Sequence, residues 1–373
     1  MRIVYITSVL GPKGGSEIYT RDLIKELADS GHTILVITTE KHEFAHKNIS
    51  FIHLPVFGHH ALHKFEAPLF ASSVMKAAKN FKPDIVQSHS NSLMGYLGHK
   101  IKNELKIPHI ILIELLSSYN QSLHAKIIHR IEKFMLPKLK YDKLLLWTDR
   151  MKNNFAIPWG IDASKIVVLH PALKSENYNS NLKAPWIREK YGPKLIVSMK
   201  TLWSTNVIGL TYIVRAMVKV SKKHPEWKYV IFGGGKDKQQ LIDLVKELGL
   251  ENNVLFGGHI MSTKAKDVLA ETDIAPHSFV YEFSTSISLL EYLAMGKACV
   301  VTDVGAVKEI VQDSVLVVPP ENPDAIADAI IKLIETPALR KELGRRARKL
   351  FEENYTIHES VNCIETIYSK LLK

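Results

Sequence analysis

The stretch "EFSTSISLLEYLAMGKACVVTDVG", residues 282–305, carries a Ser/Thr-rich turn, an apolar helix and a largely apolar strand in direct succession. Its pattern predicts a helix from about Thr285 to Met295, and Gly296 ends it because glycine readily adopts the left-handed conformation after a helix. The strand "KACVVTD" follows at once. A helix that passes so quickly into a buried-type strand is typical of parallel sheets covered by helices.

The same alternation of strand and helix extends along the chain. The first half contains the strand-like runs "RIVYIT", "TILVIT", "ISFIHL", "DIVQSH", "HIILIE" and "KLLLW", and the second half contains "KLIVSM", "WKYVIFG", "NVLFGG", "DIAPHS", "KACVVTD" and "SVLVVP". Each half therefore predicts a doubly wound, Rossmann-like α/β domain. Because ligands bind such sheets at the carboxyl ends of the strands, we expect the two domains to face each other across a cleft.

A shift in composition marks the junction between the two halves. The segment "HPALKSENYNSNLKAPWIREKYGPK" is rich in Asn, Ser, Lys and Pro and lacks hydrophobic periodicity. We therefore expect an N-terminal domain over residues 1–172, a linker over 173–189 and a C-terminal domain over 190–353. A last helical stretch, 354–373, is expected to return to the N-terminal domain.

The composition is that of an ordinary globular protein. The 373 residues are 46% hydrophobic and 23% charged, which suits two domains that each have a core. Cys299 and Cys363 lack the spacing of a disulfide framework or a zinc site. The N-terminal apolar run ends at Gly11, and no segment reaches the about 18 apolar residues of a membrane span. We expect a cytoplasmic protein with no metal.

The net charge of +11 predicts an anionic partner. Its lysines are dispersed and the sequence has no Arg/aromatic platform, so nucleic acid is not expected as a partner. The densest basic segment, Ser122–Lys143, predicts an amphipathic helix with Ile127 and Phe134 on its apolar side. Such a helix binds an anionic membrane surface in some proteins, and in others it is a packed surface helix with a solvated basic face. Both interpretations stay open here.

Two glycine runs follow predicted strands. "GPKGGSE" places Gly15 at the start of a helix, and "VIFGGGKDK" places Gly233, Gly235 and Lys236 between a strand and a helix. Neither run has the spacing of the dinucleotide-binding GxGxxG motif or of a P-loop. Glycine lets a backbone approach a ligand, and a helix N-terminus favours an anion, but plain tight turns have the same pattern.

The turn in residues 282–305 has the properties of an anion site. The free N–H groups at the start of its helix bind phosphate oxygens well. Ser284, Ser288 and Glu291 are spaced i, i+4 and i+7 and share one helix face, with Thr285 beside them. Glu291, two turns in from the anion site, is well placed to accept hydrogen bonds from a ribose diol. The alternative is a capping box, in which Ser288 and Glu291 start a helix that begins later.

Four segments in order resemble retaining GT-B glycosyltransferases of family four: "GGSEIYTRDLIKELADSGHTILVIT", "DIVQSHS", "VIFGGG" with "ELGLENNVLFGG", and "SLLEYLAMGKACVVTDVGAVKEIV". The match extends over almost the whole chain. It implies a GT-B architecture and the transfer of a sugar from a nucleoside-diphosphate sugar to a glycan or lipid-linked acceptor. It also implies retention of the anomeric configuration and no metal ion, with the donor on the C-terminal domain and the acceptor on the N-terminal one.

The resemblance assigns roles to particular residues. Lys200 stands where the family usually has an arginine that binds the diphosphate, and Glu291 matches the second acid of a Glu pair, which binds ribose. The candidate catalytic residues are Lys200, Glu282, His89 and Glu114. The candidate donor-binding residues are Gly15, Gly233, Gly235, Lys236, His259, Ile260, Phe283, Ser284, Thr285, Ser288 and Glu291. Because the diphosphate leaves with growing negative charge, cations and helix N-termini are the groups that this reaction needs.

Two departures from the family pattern concern the donor side. Glu282 lies nine positions before Glu291 where the family has eight, so Phe283 occupies the place of the first acid. Ile208 replaces the lysine that usually precedes Gly209 and supplies a second cation.

A third departure concerns the acceptor side. Glu114 follows the fifth strand where many members have a histidine, and His89 is an alternative histidine that is near only in sequence order. The departures motivate a second hypothesis. In it, the chain is a GT-B protein with weakened catalysis that acts as a binding or partner subunit.

Overall fold

The computed structural model describes residues 1–10, 14–40, 44–55, 67–90, 92–114, 123–260, 262–280 and 286–373. The chain forms two compact units. The first contains Met1–Leu173 and Thr356–Lys373, and the second contains Lys174–Tyr355. Both are parallel α/β domains, which confirms the predicted fold class.

The first unit is built on a seven-stranded sheet of order β3-β2-β1-β4-β5-β6-β7 among the described residues, with every pair parallel. Its strands are β1 Arg2–Thr7, β2 Thr33–Thr38, β3 Ile49–His53, β4 Ile85–His89, β5 His109–Ile113, β6 Lys143–Leu146 and β7 Ile166–Val168. The central strands β4 and β5 are fully buried, whereas the edge strand β3 is partly exposed. Helices cover both faces of a parallel sheet, which explains the apolar run of β5 after His109, whereas β4 also buries the polar residues Gln87, Ser88 and His89.

The main helices of this unit are α1 Gly15–Asp29, α2 Ala71–Phe81, α3 Ser92–Leu105 and α4 Leu123–Met135. A short turn, Asp149–Met151, continues into a π-helical segment, Lys152–Ala156.

The last helix, α13 Ile357–Leu371, also belongs to the first unit and packs against α1. The Thr356 side chain caps its start by accepting a hydrogen bond from Glu359 N. Its buried face includes Ile364 and Tyr368, and the Tyr368 hydroxyl donates to Gln87 Oε1 on β4. The helix is therefore tied both to the surface of the unit and to its sheet.

The second unit is built on a six-stranded parallel sheet of order β10-β9-β8-β11-β12-β13 among the described residues. Its strands are β8 Leu195–Met199, β9 Lys228–Phe232, β10 Val254–Gly258, β11 Ile274–His277, β12 Ala298–Thr302 and β13 Leu316–Val318. Its helices are α5 Trp186–Tyr191, α6 Ser204–Lys223, α7 Lys238–Glu247, α8 Ser262–Glu271, α9 Ile287–Ala294, α10 Val307–Val311, α11 Pro323–Glu335 and α12 Pro337–Asn354.

The second unit includes residues 174–189, which belong to the segment 173–189 that we expect to be a linker. This polar segment contributes Arg188 to an ion-pair cluster. Arg188 on α5 donates to Glu271 at 2.6 Å and to Asp273 at 3.1 Å, and Ala184 N donates to Glu271 at 2.8 Å. These bonds hold the segment against the unit although it has no hydrophobic periodicity.

The stretch quoted at the outset folds largely as its pattern predicts. Helix α9 runs from Ile287 to Ala294, and Gly296 after it has φ +62°, the left-handed conformation that glycine adopts at low cost. Helix α9 is followed by the buried strand β12. Within the described part of the chain, no helix has the length and hydropathy of a membrane span.

Candidate functional site

A buried polar cluster lies at the carboxyl ends of β1, β4 and β5. His89 is the last residue of β4, and Glu114 follows the neighbouring strand β5. The distance from His89 Nε2 to Glu114 Oε1 is 2.8 Å, and that from the Tyr5 hydroxyl to His89 Nδ1 is 2.6 Å. The structure therefore joins His89 and Glu114, which the sequence offered as separate alternatives, into one hydrogen-bonded pair.

The geometry of this cluster fixes the roles of its members. A carboxylate only accepts, so His89 Nε2–H donates to Glu114, and in the tautomer that carries its hydrogen on Nε2 the Tyr5 hydroxyl donates to Nδ1. Burial raises the pKa of Tyr5 well above its usual value, which keeps the hydroxyl protonated as a donor. His89 is fully buried, whereas Glu114 is 7% exposed. Glu114 is thus the member that reaches toward solvent and can accept a hydrogen bond from a substrate hydroxyl.

Helix α1 begins at Gly15, and its first turns lie near this cluster in space. The Glu17 side chain folds back over Gly14, where a Cβ would overlap its carboxylate. The Thr20 hydroxyl lies 3.5 Å from His89 Nδ1 and donates to Ser16 O at 2.8 Å. The first turns of α1 therefore border the His89 cluster, which places Gly15 at the same edge of the sheet.

In the second unit, Lys200 follows β8 and is nearly buried, with 9% exposure. Its Nζ donates to Ser278 O at 2.6 Å and lies 3.8 Å from the centroid of the Phe279 ring. Burial lowers the pKa of Lys200 to about 7. Within the described residues, its ammonium has no carboxylate partner. An unpaired buried cation is costly, so an anion that reaches Lys200 would stabilise its charged form.

The glycine run after β9 supports the loop that carries Lys200. Gly233 has φ +145°, and a Cβ there would overlap the Lys200 carbonyl oxygen. A Cβ on Gly235 would overlap the carbonyl oxygen of Leu202, and Leu202 N donates to Gly234 O at 2.9 Å. The loop of residues 200–202 is therefore built directly on these glycines. The contact between the two loops was not visible in the sequence.

Three further donor-site candidates lie at the same ends of the strands. Lys236 is exposed in the turn before α7. His259 and Ile260 follow β10, where His259 is exposed and lies beside Gly234, and Ile260 is partly buried. These side chains thus share one edge of the sheet with Lys200.

Glu291 lies on α9, and its Oε1 accepts a hydrogen bond of 3.0 Å from the Tyr178 hydroxyl. Burial raises the pKa of Glu291 to about 7, and the bond from Tyr178 opposes that shift. Arg348 fixes this arrangement, since it donates to Tyr178 O at 2.6 Å and to Ala294 O. Glu291 is therefore a held carboxyl group, and within the described ranges its second oxygen accepts no hydrogen bond.

The capping-box alternative for Ser288 and Glu291 is wrong. Helix α9 begins at Ile287 with Ser286 before it, so both residues lie inside the helix. No side chain caps the start of α9 in the described part of the chain, and the Ser286 and Ser288 hydroxyls are 2.9 Å apart. The candidates Glu282, Phe283, Ser284 and Thr285 lie outside the described residues.

Ile208, the residue at the place of the second cation, lies in α6 and is partly buried. The next residue, Gly209, allows α6 to approach the strand end, because a Cβ there would overlap Ser278 O. Ser278 O is also the acceptor for Lys200 Nζ. One carbonyl thus sets the positions of both the helix and the lysine.

Sequence reasoning missed Tyr5, Tyr178 and Phe279. Tyr5 lies in an apolar strand that reads as core, and it reaches His89 only because β1 pairs with β4. Tyr178 is 113 residues from Glu291, in a segment that reads as linker. No local pattern in the chain indicates the contact of Tyr5 with His89 or that of Tyr178 with Glu291.

Each half of the chain matches a family model of known proteins. Residues 13–176 match the family model Glycosyltransferase Family 4, and residues 185–350 match Glycosyl transferases group 1. The chain is 25% identical to N-acetyl-alpha-D-glucosaminyl L-malate synthase of Bacillus anthracis, over 96% of this chain and 95% of that protein. It is 24% identical to alpha-monoglucosyldiacylglycerol synthase of Streptococcus pneumoniae, over 96% and 85%.

The fold is shared with solved structures at low sequence identity. The crystal structure of HepE from Anabaena in complex with UDP superimposes with a TM-score of 0.81 at 16% identity, over 100% of both chains.

Proposed function

The chain is a glycosyltransferase of the GT-B type, with one glycosyltransferase domain in each half, and from this premise we propose that it uses a nucleoside-diphosphate sugar as donor. The sugar is transferred to a glycan or lipid-linked acceptor with retention of the anomeric configuration and without a metal ion. The acceptor binds the first unit and the donor binds the second.

Lys200 is the observation that carries this proposal. Among the described residues, its buried ammonium contacts a carbonyl oxygen and an aromatic ring, and such a cation is electrostatically incomplete until an anion joins it. The diphosphate of the donor supplies that anion, and its negative charge grows as the bond to the sugar breaks. Cations and dipoles already in place stabilise this charge without reorganisation, so Lys200 and the start of α9 promote departure of the diphosphate.

Glu291 completes the donor site in this proposal. Its Oε1 is held by Tyr178, and the carboxyl group accepts hydrogen bonds from the two ribose hydroxyls. The named relatives also support a nucleotide donor, since HepE was solved with UDP.

The pair of His89 and Glu114 serves the acceptor in this proposal. His89 orients the Glu114 carboxylate, and that carboxylate binds and positions the attacking hydroxyl. Because attack and departure occur on one face of the sugar, an oxygen of the leaving phosphate takes the proton of the hydroxyl. The protein then supplies positioning and electrostatics.

We further propose that α4 binds the inner membrane face and so brings the enzyme to its acceptor. Ile127 is 45% and Phe134 is 65% exposed, and they lie two turns apart on α4. The cations Lys126, Arg130 and Lys133 are interspersed with them. Exposed apolar residues beside cations are typical of helices that lie in an anionic membrane surface. The name alpha-monoglucosyldiacylglycerol synthase of one relative agrees with a lipid acceptor.

A panel of UDP, GDP and ADP tests the donor assignment by thermal shift and isothermal titration calorimetry. We expect one of the three to bind, and the corresponding sugar nucleotides to be consumed slowly. Glu291→Ala should weaken binding of that nucleotide about ten-fold or more, since two hydrogen bonds to a charged group are lost.

Arg345→Ala serves as a control, because Arg345 is an exposed residue of α12 paired with Glu342. Stabilisation by none of the nucleotides would sink the proposal. Binding without any donor turnover would favour a binding subunit instead.

A further inference from the structure

A row of buried polar side chains leads from helix α13 to the pair of His89 and Glu114. The Tyr368 hydroxyl donates to Gln87 Oε1, and the Tyr5 hydroxyl lies 2.6 Å from His89 Nδ1. The side chains of Tyr5, Gln87, His89 and Tyr368 are fully buried. Burial of polar groups is costly unless they find partners, so the order of the partners in this row matters.

The parallel pairing of β1 with β4 builds the row. Tyr5 on β1 is directly opposite Gln87 on β4, and His89 is two residues further along β4. Residues two apart in a strand point to the same face of the sheet, so Gln87 and His89 share a face with Tyr5. The Tyr5 side chain therefore has both of them as neighbours.

His89 Nδ1 depends on Tyr5 for its hydrogen bond. The Thr20 hydroxyl is also close to Nδ1, at 3.5 Å, but it donates its hydrogen to Ser16 O at 2.8 Å. Among the described residues, Tyr5 is thus the donor for Nδ1. On the other side of the ring, Nε2 lies 2.8 Å from Glu114 Oε1.

The Gln87 amide has two ends of similar size and opposite hydrogen-bonding character. Its Oε1 accepts from Tyr368, whereas its Nε2 has no partner of ordinary hydrogen-bond length in the described ranges. Burial raises the pKa of Tyr5, and hydrogen bonding with the Gln87 side chain opposes that rise, which is the effect of a donor beside the phenol oxygen. A reversed amide would instead offer Oε1 to the Tyr5 hydroxyl and compete with His89 Nδ1 for its hydrogen.

We propose that Tyr368 is a positioning residue of the acceptor site, because its hydroxyl fixes the Gln87 amide in the orientation that leaves the Tyr5 hydroxyl to His89 Nδ1. With Nδ1 occupied by an O–H donor, His89 carries its hydrogen on Nε2 and presents it to Glu114. The inference rests on the proposed function for one point, the binding of the attacking hydroxyl by the Glu114 carboxylate. Helix α13 thus orients a group that lies at the far end of the row.

Nitrogen NMR of protein with isotope-labelled histidine rings tests this proposal without any ligand. A ring nitrogen that accepts a hydrogen bond resonates at lower frequency than a free one, and His89→Gln identifies the His89 signals by their loss. Tyr5→Phe supplies the reference for an Nδ1 atom without its donor. Tyr368→Phe should shift the His89 Nδ1 signal toward that reference, although Tyr5 is still present.

A rescue experiment separates the amide from general loosening of the core. Gln87→Met keeps the length of the side chain but removes the amide, so the double variant Tyr368→Phe with Gln87→Met should restore the Nδ1 signal of the unmodified protein. Glu365→Gln is the matched control. Glu365 lies one turn before Tyr368 on α13, and its Oε1 is 2.8 Å from His32 Nε2. This variant should leave the His89 signals unchanged.

An unchanged Nδ1 signal in Tyr368→Phe would overturn the proposal, as would an equal shift in Glu365→Gln or in the double variant. The nucleotide panel gives a separate result. Tyr368→Phe should leave the affinity for UDP, GDP or ADP unchanged, because Tyr368 belongs to the first unit. If the unmodified protein bound none of the three, the proposed function would fall, whereas the NMR signals would still show whether Tyr368 controls His89.

Discussion

Lys200 shows how one residue couples charge to ligand binding. Its ammonium faces Ser278 O and the Phe279 ring, and its charge is one of the causes that lower the pKa of His277 on β11. Burial lowers the pKa of His277 well below its usual value, so His277 is neutral near pH 7. The arginine that the family usually has at this position keeps its charge at any physiological pH, but a buried lysine does not.

We therefore predict that nucleoside-diphosphate affinity falls as pH rises from about 7.5 to 9. Lys200 is neutral in the free protein above its pKa of about 7, and the diphosphate binds its protonated form, so binding must take up a proton. The loss should approach ten-fold per pH unit. Calorimetry in buffers of different ionisation enthalpy measures this proton uptake directly.

Lys200→Arg separates the effect from other groups, since it leaves in place Glu291, whose pKa is also raised to about 7. The variant should bind with little dependence on pH in this range. A wild-type affinity that stayed constant from pH 7.5 to 9 would contradict the role of Lys200.

The lowered pKa of Lys200 also affects the free energy of unfolding. This free energy should rise with pH, whereas nucleotide affinity should fall. The unfolded chain keeps the Lys200 proton up to its ordinary pKa, whereas the folded chain releases it above about 7. The unfolded state thus binds more protons between these values, and this term raises the free energy of unfolding with pH by at most about 1.4 kcal/mol per unit.

At the scale of elements, the turn after β9 and the loop after β8 act as one support. Gly233 lies against the Lys200 carbonyl with φ +145°, whereas the nearest atom to a Cβ on Gly234 would be the His259 Cβ atom, at an ordinary 3.5 Å. Adjacent glycines in one turn thus have different tolerance for a side chain.

We predict that Gly233→Ala lowers the free energy of unfolding by about 1–3 kcal/mol, because alanine is strained at this φ and overlaps the carbonyl. It should also weaken nucleoside-diphosphate binding, since the loop that carries Lys200 must shift. Urea unfolding and calorimetry measure the two effects. Gly234→Ala is the matched control and should change both quantities little; similar losses in the two variants would refute this account of the turn.

At the scale of the whole molecule, the net charge of +11 is spread over the surface, and α4 combines cations with exposed apolar side chains. Dispersed charge gives a weak, salt-sensitive attraction to any anionic surface, whereas an apolar face adds a term that salt does not screen. The two contributions can be separated by experiment.

We predict that the protein sediments with vesicles containing anionic lipid more than with neutral vesicles. The double variant Ile127→Ser and Phe134→Ser should lose most of the binding that remains at high salt, because two exposed apolar side chains are removed. Val218→Ser on α6, an exposed apolar residue of the other unit, is the control. Unchanged binding of the double variant would exclude α4 as the membrane-binding element.

Much of the fold was predictable from local pattern. Strand and helix periodicity, the glycine after α9 and the order of the motifs are encoded within short windows, so the two parallel α/β domains and most element positions follow from the sequence. Ion pairs of Arg188 with residues more than 80 positions away hold the polar segment 174–189 in the second unit. Local composition does not record such distant partners.

In the candidate site, too, local sequence determines some properties and tertiary contacts determine the others. The sequence by itself determined which chemical groups stand at the strand ends, including Lys200, His89, Glu114 and Glu291. Only the tertiary structure decided that His89 is hydrogen-bonded to Glu114, that Tyr178 holds Glu291, and that Lys200 is buried with no carboxylate partner among the described residues. The physical reason is that charge state and hydrogen-bond pairing depend on burial and on strand order, which join residues far apart in the chain.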